Sequence, residues 1–216
     1  MTCILDGRLV LAQPAREAGY RVNVDALHLA RFAAPRLRGT VVDLGAGTGA
    51  VALAAALLAP RAPRRVVLVE GNPIAAALAE ENARTNGVEA EIVCEDVVRA
   101  ARTLRGEADV VLCNPPYFEP GKCRLRTVAP EARVGSLAQF VAVARTMLGH
   151  RGRFFFVYPA ADFARALACL ETQGLVAKRA QLVHGKSRSP ARVVLMEACA
   201  GKPGGLVIEP PIAERP

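Results

Sequence analysis

The sequence Asn114-Pro115-Pro116-Tyr117 combines groups that could activate an exocyclic amine of adenine for alkylation. Such an amine is a poor nucleophile, because its lone pair is delocalised into the ring. The side-chain oxygen of Asn114 and the backbone carbonyl of Pro115 could accept its two N–H groups and favour a tetrahedral nitrogen, while the prolines stiffen the turn. Tyr117 offers a flat face on which the base could stack. No general base is needed, since the amine loses its proton after alkylation.

A glycine-rich segment, residues 43–49, stands between a short apolar strand and a helix. Gly45, Gly47 and Gly49 would let the backbone approach a ligand closely, because they lack a Cβ atom. Glu70 ends the next predicted strand, where its carboxylate could accept hydrogen bonds from both ribose hydroxyls of an adenosine group. The spacing also fits the glycine pattern of dinucleotide-binding proteins, so these residues by themselves leave the cofactor open.

Asp96 follows the third predicted strand of the sheet. Its carboxylate could accept a hydrogen bond from an adenine amino group, or it could cap a helix. The order of an acid, a glycine loop and further acids after the second and third strands resembles class I S-adenosylmethionine-dependent methyltransferases. This resemblance implies that S-adenosylmethionine is the cofactor, that Asp43 lies beside its methionine part, and that Asn114 lies near it.

A common scaffold must hold these segments, and the hydrophobic pattern predicts an α/β domain with a mostly parallel sheet. Each of the first four predicted sheet strands ends at one of these segments, on the carboxyl edge where open α/β sheets bind ligands. The last two predicted strands are joined by a short turn, which predicts a C-terminal antiparallel hairpin. The predicted strands are residues 40–44, 66–70, 90–94, 109–113, 153–158, 175–184 and 192–199.

More narrowly, the chain resembles the bacterial tRNA1(Val) adenine-37 N6-methyltransferase family. The resemblance rests on the motif NPPYF with Gly121 after it, LDGRL at residues 5–9, GYR at 19–21, and GGL at 204–206 ahead of Pro210-Pro211. It implies a Rossmann-like class I methyltransferase fold with a seven-stranded sheet in a single domain, residues 1–216. Residues 1–39 would cover the cofactor, and residues 200–216 would form a surface tail. The implied substrate is adenine 37 of a valine tRNA.

Basic residues predict where the RNA would bind, since the formal net charge is +8. A long basic segment follows the NPPY motif, and a second basic segment at residues 186–192 has no acidic neighbour in sequence. Both would contact phosphates on either side of the target base. We assign Tyr117 and Phe118 to the base itself. The residues expected to bind phosphates are Lys122, Arg124, Arg126, Lys186 and Arg188, with Arg192 beside them.

Composition limits the other possibilities. With 216 residues and 52% hydrophobic content, the chain predicts one globular domain. No apolar run reaches the ~18 residues of a membrane span, and no leader segment is recognisable, so we expect a cytoplasmic protein without a membrane partner. The six cysteines form no CxxC pair and lie near no histidine at metal-ligand spacing, so no metal is expected. No stable protein partner is predicted.

Three other functions compete with this interpretation. A glutamine N5-methyltransferase acting on a release factor uses the same NPPY motif, but such proteins normally carry an N-terminal helical domain, and here the glycine loop begins at residue 43. A dinucleotide-dependent oxidoreductase would leave the NPPY motif unexplained. A non-catalytic protein that binds the cofactor and RNA would have no need of an intact motif.

Overall fold

The computed structural model describes residues 1–14, 23–115, 136–201 and 204–215. The chain begins with a small antiparallel hairpin, β1 (Thr2–Ile4) and β2 (Leu9–Leu11), and continues into a large sheet. The strands of that sheet are β3 (Thr40–Leu44), β4 (Arg65–Val69), β5 (Glu91–Val93), β6 (Ala108–Cys113), β7 (Leu148–Pro159), β8 (Leu175–His184), β9 (Ala191–Ala200) and β10 (Val207–Ala213). The helices are α1 (Val24–Ala33), α2 (Ala50–Leu58), α3 (Pro73–Thr85), α4 (Val97–Thr103), α5 (Leu137–Met147) and α6 (Phe163–Thr172).

The strands of the large sheet follow the order β10-β8-β9-β7-β6-β3-β4-β5. Every neighbouring pair is parallel except the two pairs that involve β9. The predicted fold, a mostly parallel α/β sheet that ends in an antiparallel hairpin of β8 and β9, is confirmed. The sheet has eight strands instead of the expected seven, because β10 pairs with β8 at the edge.

Helices cover both faces of the sheet. The first three helices pack on one face and the last three on the other. In β7, Phe155 faces the first set, whereas Phe154 and Phe156 face the second, and none of these rings is exposed. A strand buried on both faces needs such an unbroken apolar run, and each buried ring contributes about 1.5–3 kcal/mol. None of the helices in the described ranges has the length and apolarity that a membrane span requires.

The ends of α3 show how local sequence sets the helix boundaries. The side-chain oxygen of Asn72 accepts hydrogen bonds from the backbone N–H groups of Ile74 (2.9 Å) and Ala75 (3.3 Å), and Pro73 occupies the first helical position. Gly87 follows the helix with a φ of 64°, a left-handed conformation that glycine adopts without strain. Both boundaries of α3 therefore follow from residues that can be identified in the sequence itself.

Three elements were not predicted from the sequence. The β1–β2 turn contains Leu5 and Asp6 at a φ of 54°, where non-glycine residues are uncommon, so no usual turn pattern marks it. Helix α4 has seven residues, too few for a clear periodicity. Strand β10 contains Pro210 and Pro211, which an edge strand tolerates at its register shift between Glu209 and Ile212. Part of the glycine- and proline-rich tail is therefore an edge strand.

Candidate active site

The predicted site segments meet at the carboxyl edge of the sheet. Leu44 of β3 is in register with Val69 of β4 on one side and with Cys113 of β6 on the other. The residues that follow, Gly45, Glu70 and Asn114, therefore leave the sheet side by side. The chain turns to opposite sides of β3 at this point, which is where open α/β sheets form a ligand crevice.

The three glycines of the loop between β3 and α2 differ in what a side chain at each position would contact. All three have a positive φ, of 65° at Gly45, 57° at Gly47 and 82° at Gly49. A Cβ atom on Gly49 would lie 3.1 Å from the side chains of Leu53 and Leu68, a tight contact that adds to the strain of the positive φ. A Cβ atom on Gly47 would meet nothing within 4 Å. The backbone at Gly47 is thus open to a ligand, which fits a cofactor held against the loop.

Asp43 is buried at the end of β3, with 1% of its surface exposed. Its Oδ2 accepts a hydrogen bond of 3.1 Å from the backbone N–H of Ala52, in the first turn of α2. That helix needs such an acceptor, because its own N-cap is Gly49, which has no side chain. Burial raises the pKa of Asp43 to about 7; the Ala52 N–H opposes this shift, and the charge of Glu70 adds to it.

Glu70 joins the loops that follow β3 and β4. Its Oε2 accepts a hydrogen bond from the backbone N–H of Gly47, and its Oε1 accepts one from that of Asn72, both at 2.8 Å. The carboxylate is only partly buried. Each oxygen can accept a further hydrogen bond from the open side, so Glu70 can order the glycine loop and still bind two ligand hydroxyl groups.

Asp96 caps a helix in this structure. Its Oδ1 accepts a hydrogen bond of 2.8 Å from the backbone N–H of Val98, at the start of α4. The cap was one of the two roles that the sequence allowed. The side chain is exposed at the carboxyl edge, and its expected contact with an adenine amino group stays a prediction.

Asn114 and Pro115 follow β6 directly, with Asn114 partly buried and Pro115 buried. The strand ends here because proline has no N–H group to continue the ladder. The rest of the motif and the basic segment after it, with the assignments to Tyr117, Phe118, Lys122, Arg124 and Arg126, lie outside the described residues. Among the residues that are described, no three histidine, cysteine or acidic side chains are grouped to hold a metal ion.

Asn82 of α3 is a site residue that the sequence analysis missed. Its side chain accepts a hydrogen bond from the backbone N–H of Ala12 (2.6 Å) and donates to the carbonyl of Ala12 (3.0 Å) and to that of Thr48 (2.9 Å). One turn later, Asn86 binds both backbone groups of Val10. The two amides thus bind backbone groups of the N-terminal segment that β1 does not pair with. Asn82 also connects this segment to Thr48 of the glycine loop. The only sequence signal was their spacing of four residues, which places them on one helix face.

The turn between β8 and β9 lies on the same edge and carries Lys186 and Arg188, both exposed. Hydrogen bonds between Lys186 and Ser189 close this turn. In the described part of the chain neither basic residue forms an ion pair. The second basic segment is therefore present as predicted, but its contact with RNA phosphates stays a prediction.

Arg192 differs from these two residues. Its guanidinium group binds Asp25 at 2.6 Å and Glu214 at 2.5 Å, and His28 binds the same oxygen of Glu214 at 3.0 Å. Partial burial acts to raise the pKa of Glu214, but the hydrogen bonds from Arg192 and His28 outweigh it and hold that pKa below its ordinary value. Arg192 has no acid near it in sequence, but α1 and the C-terminal segment supply two acids in space, and its expected contact with RNA phosphates stays a prediction.

The comparisons with known proteins agree with this geometry. The sequence model described as the methyltransferase small domain matches residues 21–173. The chain belongs to this family. A relative from Haemophilus influenzae (strain PittEE), named tRNA1(Val) (adenine(37)-N6)-methyltransferase, is 30% identical over 183 residues, which cover 81% of this chain and 76% of the relative. The resemblance found in the sequence is confirmed.

Solved methyltransferase structures share the fold. A predicted O-methyltransferase from Agrobacterium tumefaciens aligns with a TM-score of 0.67 at 23% identity, covering 88% of each chain. The 16S rRNA N2 G1207 methyltransferase of T. thermophilus, solved in complex with AdoMet and guanosine, has a TM-score of 0.59 at 25% identity, covering 84% of this chain and 44% of that one. The chain therefore has the class I methyltransferase fold, as the sequence predicted.

Proposed function

We propose that this protein transfers the methyl group of S-adenosylmethionine to the N6 amine of an adenine in tRNA, with adenine 37 of tRNA1(Val) as the target. The observation that carries this proposal is the register of β3, β4 and β6, in which Asn114 and Glu70 follow the strands on either side of the glycine loop. The name of the Haemophilus influenzae relative supports the choice of base and RNA. The reaction takes place in the cytoplasm, where tRNA is modified.

The cofactor would lie along the loops of the carboxyl edge. When bound, it supplies an electrophilic methyl group on a sulfonium centre. Glu70 would accept hydrogen bonds from the ribose hydroxyls, and Asp96 would accept one from the adenine amino group. The open backbone at Gly47 leaves room for the ligand. Asp43 would lie next to the cationic methionine part, and a neighbouring cation favours the ionised form of its carboxyl group.

The target amine would be held by acceptors that are already in place. The side-chain oxygen of Asn114 and the carbonyl of Pro115 would accept its two N–H bonds and direct the nitrogen lone pair towards the methyl group. Such preorganised acceptors act mainly in the transition state. Tyr117 and Phe118 would stack on the base. The remaining contribution is the in-line orientation of amine, methyl and sulfur.

The RNA would be held by phosphate contacts around this site, from Lys186 and Arg188 on one side and from Lys122, Arg124 and Arg126 on the other. The N-terminal segment, residues 1–39, would cover the cofactor, since Asn82 fastens its Ala12 to the glycine loop. These contacts require no stable protein partner.

The test is a methylation assay with tritiated S-adenosylmethionine and two acceptors, total tRNA and total protein from a strain that lacks the gene. We expect label in tRNA, as N6-methyladenosine in hydrolysed nucleosides, and in a synthetic tRNA1(Val) but not in the same RNA with guanosine at position 37. Label confined to protein, on glutamine side chains, would replace this proposal with the release-factor alternative. Cofactor binding without any transfer would favour the non-catalytic alternative.

A further inference from the structure

The amino edge of the sheet, opposite the candidate active site, carries a row of exposed arginines. They lie on the turns leading into β3, β4 and β6 and at the start of β7, four neighbouring strands. These turns touch each other: a guanidinium nitrogen of Arg38 donates to the carbonyl of Arg151 at 2.7 Å, and the N–H of Gly106 donates to the carbonyl of Thr146 at 3.1 Å. The arginine row consists of Arg38, Arg61, Arg64, Arg105, Arg145 and Arg151.

Few acids lie beside this row, and the carboxylate of Asp109, which faces Gly39, is already engaged by the backbone N–H of Thr40 at 2.9 Å. The described segments that form it, residues 34–39, 59–64, 104–107 and 145–152, contain one acidic residue, Glu107, whose carboxylate binds Arg65 at 2.8 Å. Within the described residues, none of the six arginines forms an ion pair. Six of the 28 lysine and arginine residues of the chain thus lie together at one edge of the sheet. The row is therefore a strongly positive surface, separate from the active-site edge.

A favourable interaction with a helix dipole explains the position of only one arginine in the row. Arg145 lies in the last turn of α5, where a cation is favourable next to the negative helix end. The other five arginines lie outside the helices. Arg105 and Arg145 line an open depression of about 440 Å³, together with Gly106, Thr146 and Leu148. Two guanidinium groups beside one depression are suited to a phosphate group.

We propose that the arginine row is a second RNA-binding surface, which holds backbone phosphates away from the target base, with the depression between Arg105 and Arg145 as one phosphate site. The choice of RNA as the polyanion rests on the proposed function. The row spans four strands, a width of about 15 Å, which is enough for more than one phosphate. It contains no lysine, and arginine binds phosphate through two parallel hydrogen bonds.

A membrane surface fits the row less well. Basic segments that bind lipid bilayers combine their charges with apolar side chains that enter the bilayer. The exposed large apolar side chains of the described residues lie elsewhere, at Met1, Val24, Ile74, Val98, Val207 and Ile208. The amino edge thus has the charge that RNA requires without the apolar anchor that a membrane requires.

The test is the binding of a fluorescently labelled RNA duplex of 20 base pairs, without a target loop, to the whole chain at several salt concentrations. Removing two phosphate contacts in the variant Arg105→Gln/Arg145→Gln should lower the slope of log Kd against log salt by about 2 and weaken binding several-fold. The control variant Arg31→Gln/Arg84→Gln removes two exposed arginines from helix surfaces outside the row, and its slope should not change. Arg105→Lys/Arg145→Lys should keep the slope but bind more weakly.

A second arm uses methylation kinetics. For full-length tRNA, the Arg105→Gln/Arg145→Gln variant should raise KM about 3- to 10-fold and leave kcat unchanged, whereas KM for a short anticodon stem-loop should stay constant. An unchanged salt slope for the duplex would overturn the proposal. So would binding to vesicles with 30% anionic lipid that is lost in the same variant, or full competition by millimolar inorganic phosphate alone. Duplex binding through the row without methylation of any tRNA would uphold the surface and refute the proposed function.

Discussion

The two edges of the sheet differ in their connections and in their chemistry: strand-to-helix loops form the carboxyl edge, and helix-to-strand connections form the amino edge. At the carboxyl edge, carboxylates and positive-φ glycines surround the crevice, and Asp43 and Glu70 are engaged by backbone N–H groups. At the amino edge, arginines are exposed and no acid of the same segments is left to pair with them. The carboxyl edge is suited to hold individual groups of a ligand in fixed positions. The amino edge is suited to attract a negatively charged partner over a wide area.

This contrast separates the expected effects of substitution. Buried or hydrogen-bonded groups of the carboxyl edge should change turnover, cofactor affinity or stability. Exposed charges should change RNA affinity and its salt dependence and leave turnover intact. A substitution of an exposed charge that lowers turnover, or of a buried carboxyl-edge group that changes only the salt dependence of RNA binding, would show that the two edges are not independent.

The largest effect is expected for Asn114→Ala. It removes an acceptor that acts in the transition state, so kcat should fall ~100-fold or more, while calorimetric affinity for S-adenosylmethionine stays nearly unchanged. The matched control is Gln139→Ala, which removes an exposed amide from the first turn of α5. Turnover of Asn114→Ala at the wild-type rate on tRNA would refute the proposed mechanism.

The next effect concerns stability and pH. The pKa of Asp43 is raised from 3.8 to about 7 in the folded chain, so between these values the folded chain holds a proton that the unfolded chain has lost. The contribution of Asp43 to stability is therefore complete below pH 3.8 and is lost as the pH rises to about 7. In this window its share of the unfolding free energy should fall by about 1.4 kcal/mol per pH unit.

Urea unfolding without cofactor at pH 5 to 7.5 measures this share. Asp43→Asn should lose that part of the pH dependence, whereas the exposed Asp96→Asn should retain it. Parallel pH curves for wild type and Asp43→Asn would mean that Asp43 is ionised in the folded chain throughout the range.

Glu70→Ala should weaken binding of S-adenosylmethionine by roughly 1–3 kcal/mol, because a charge-assisted hydrogen bond is lost. Calorimetry gives this difference, and Glu95→Ala serves as the control on the neighbouring loop. Glu70→Gln retains an acceptor for the N–H groups of Gly47 and Asn72, so it separates ordering of the loop from recognition of the ribose. Unchanged cofactor affinity in Glu70→Ala would remove Glu70 from the cofactor site.

The smallest effect is expected for Lys186→Gln/Arg188→Gln on the basic turn of the carboxyl edge. The salt slope of tRNA binding should fall by about 2, with a several-fold loss of affinity and no change in kcat. Combined with Arg105→Gln/Arg145→Gln, the losses should add, since distant sites with no shared partner are usually additive. If the combined variant loses no more tRNA affinity than either double variant alone, the two basic surfaces do not bind the RNA independently.

The sequence by itself was sufficient for the elements that have a clear local pattern. The strand at residues 40–44, the start of α3 at Asn72-Pro73 and the hairpin of β8 and β9 follow from periodicity, capping and turns within a few neighbouring residues. The glycine loop, Glu70 and Asn114 were also recognisable, because open α/β sheets bring the ends of parallel strands to one edge. The family could be recognised from the same motifs.

Only the tertiary structure decided what depends on contacts between distant segments. Arg192 counted as a free basic residue until α1 and the C-terminal segment placed Asp25 and Glu214 beside it. The role of Asn82 required β2 to lie against α3, 70 residues away along the chain. The arginine row is formed from four segments that are distant from one another in sequence. A sequence pattern indicates the helix or strand to which a residue belongs. Ion pairs and charged surfaces depend instead on which helices and strands the fold brings together.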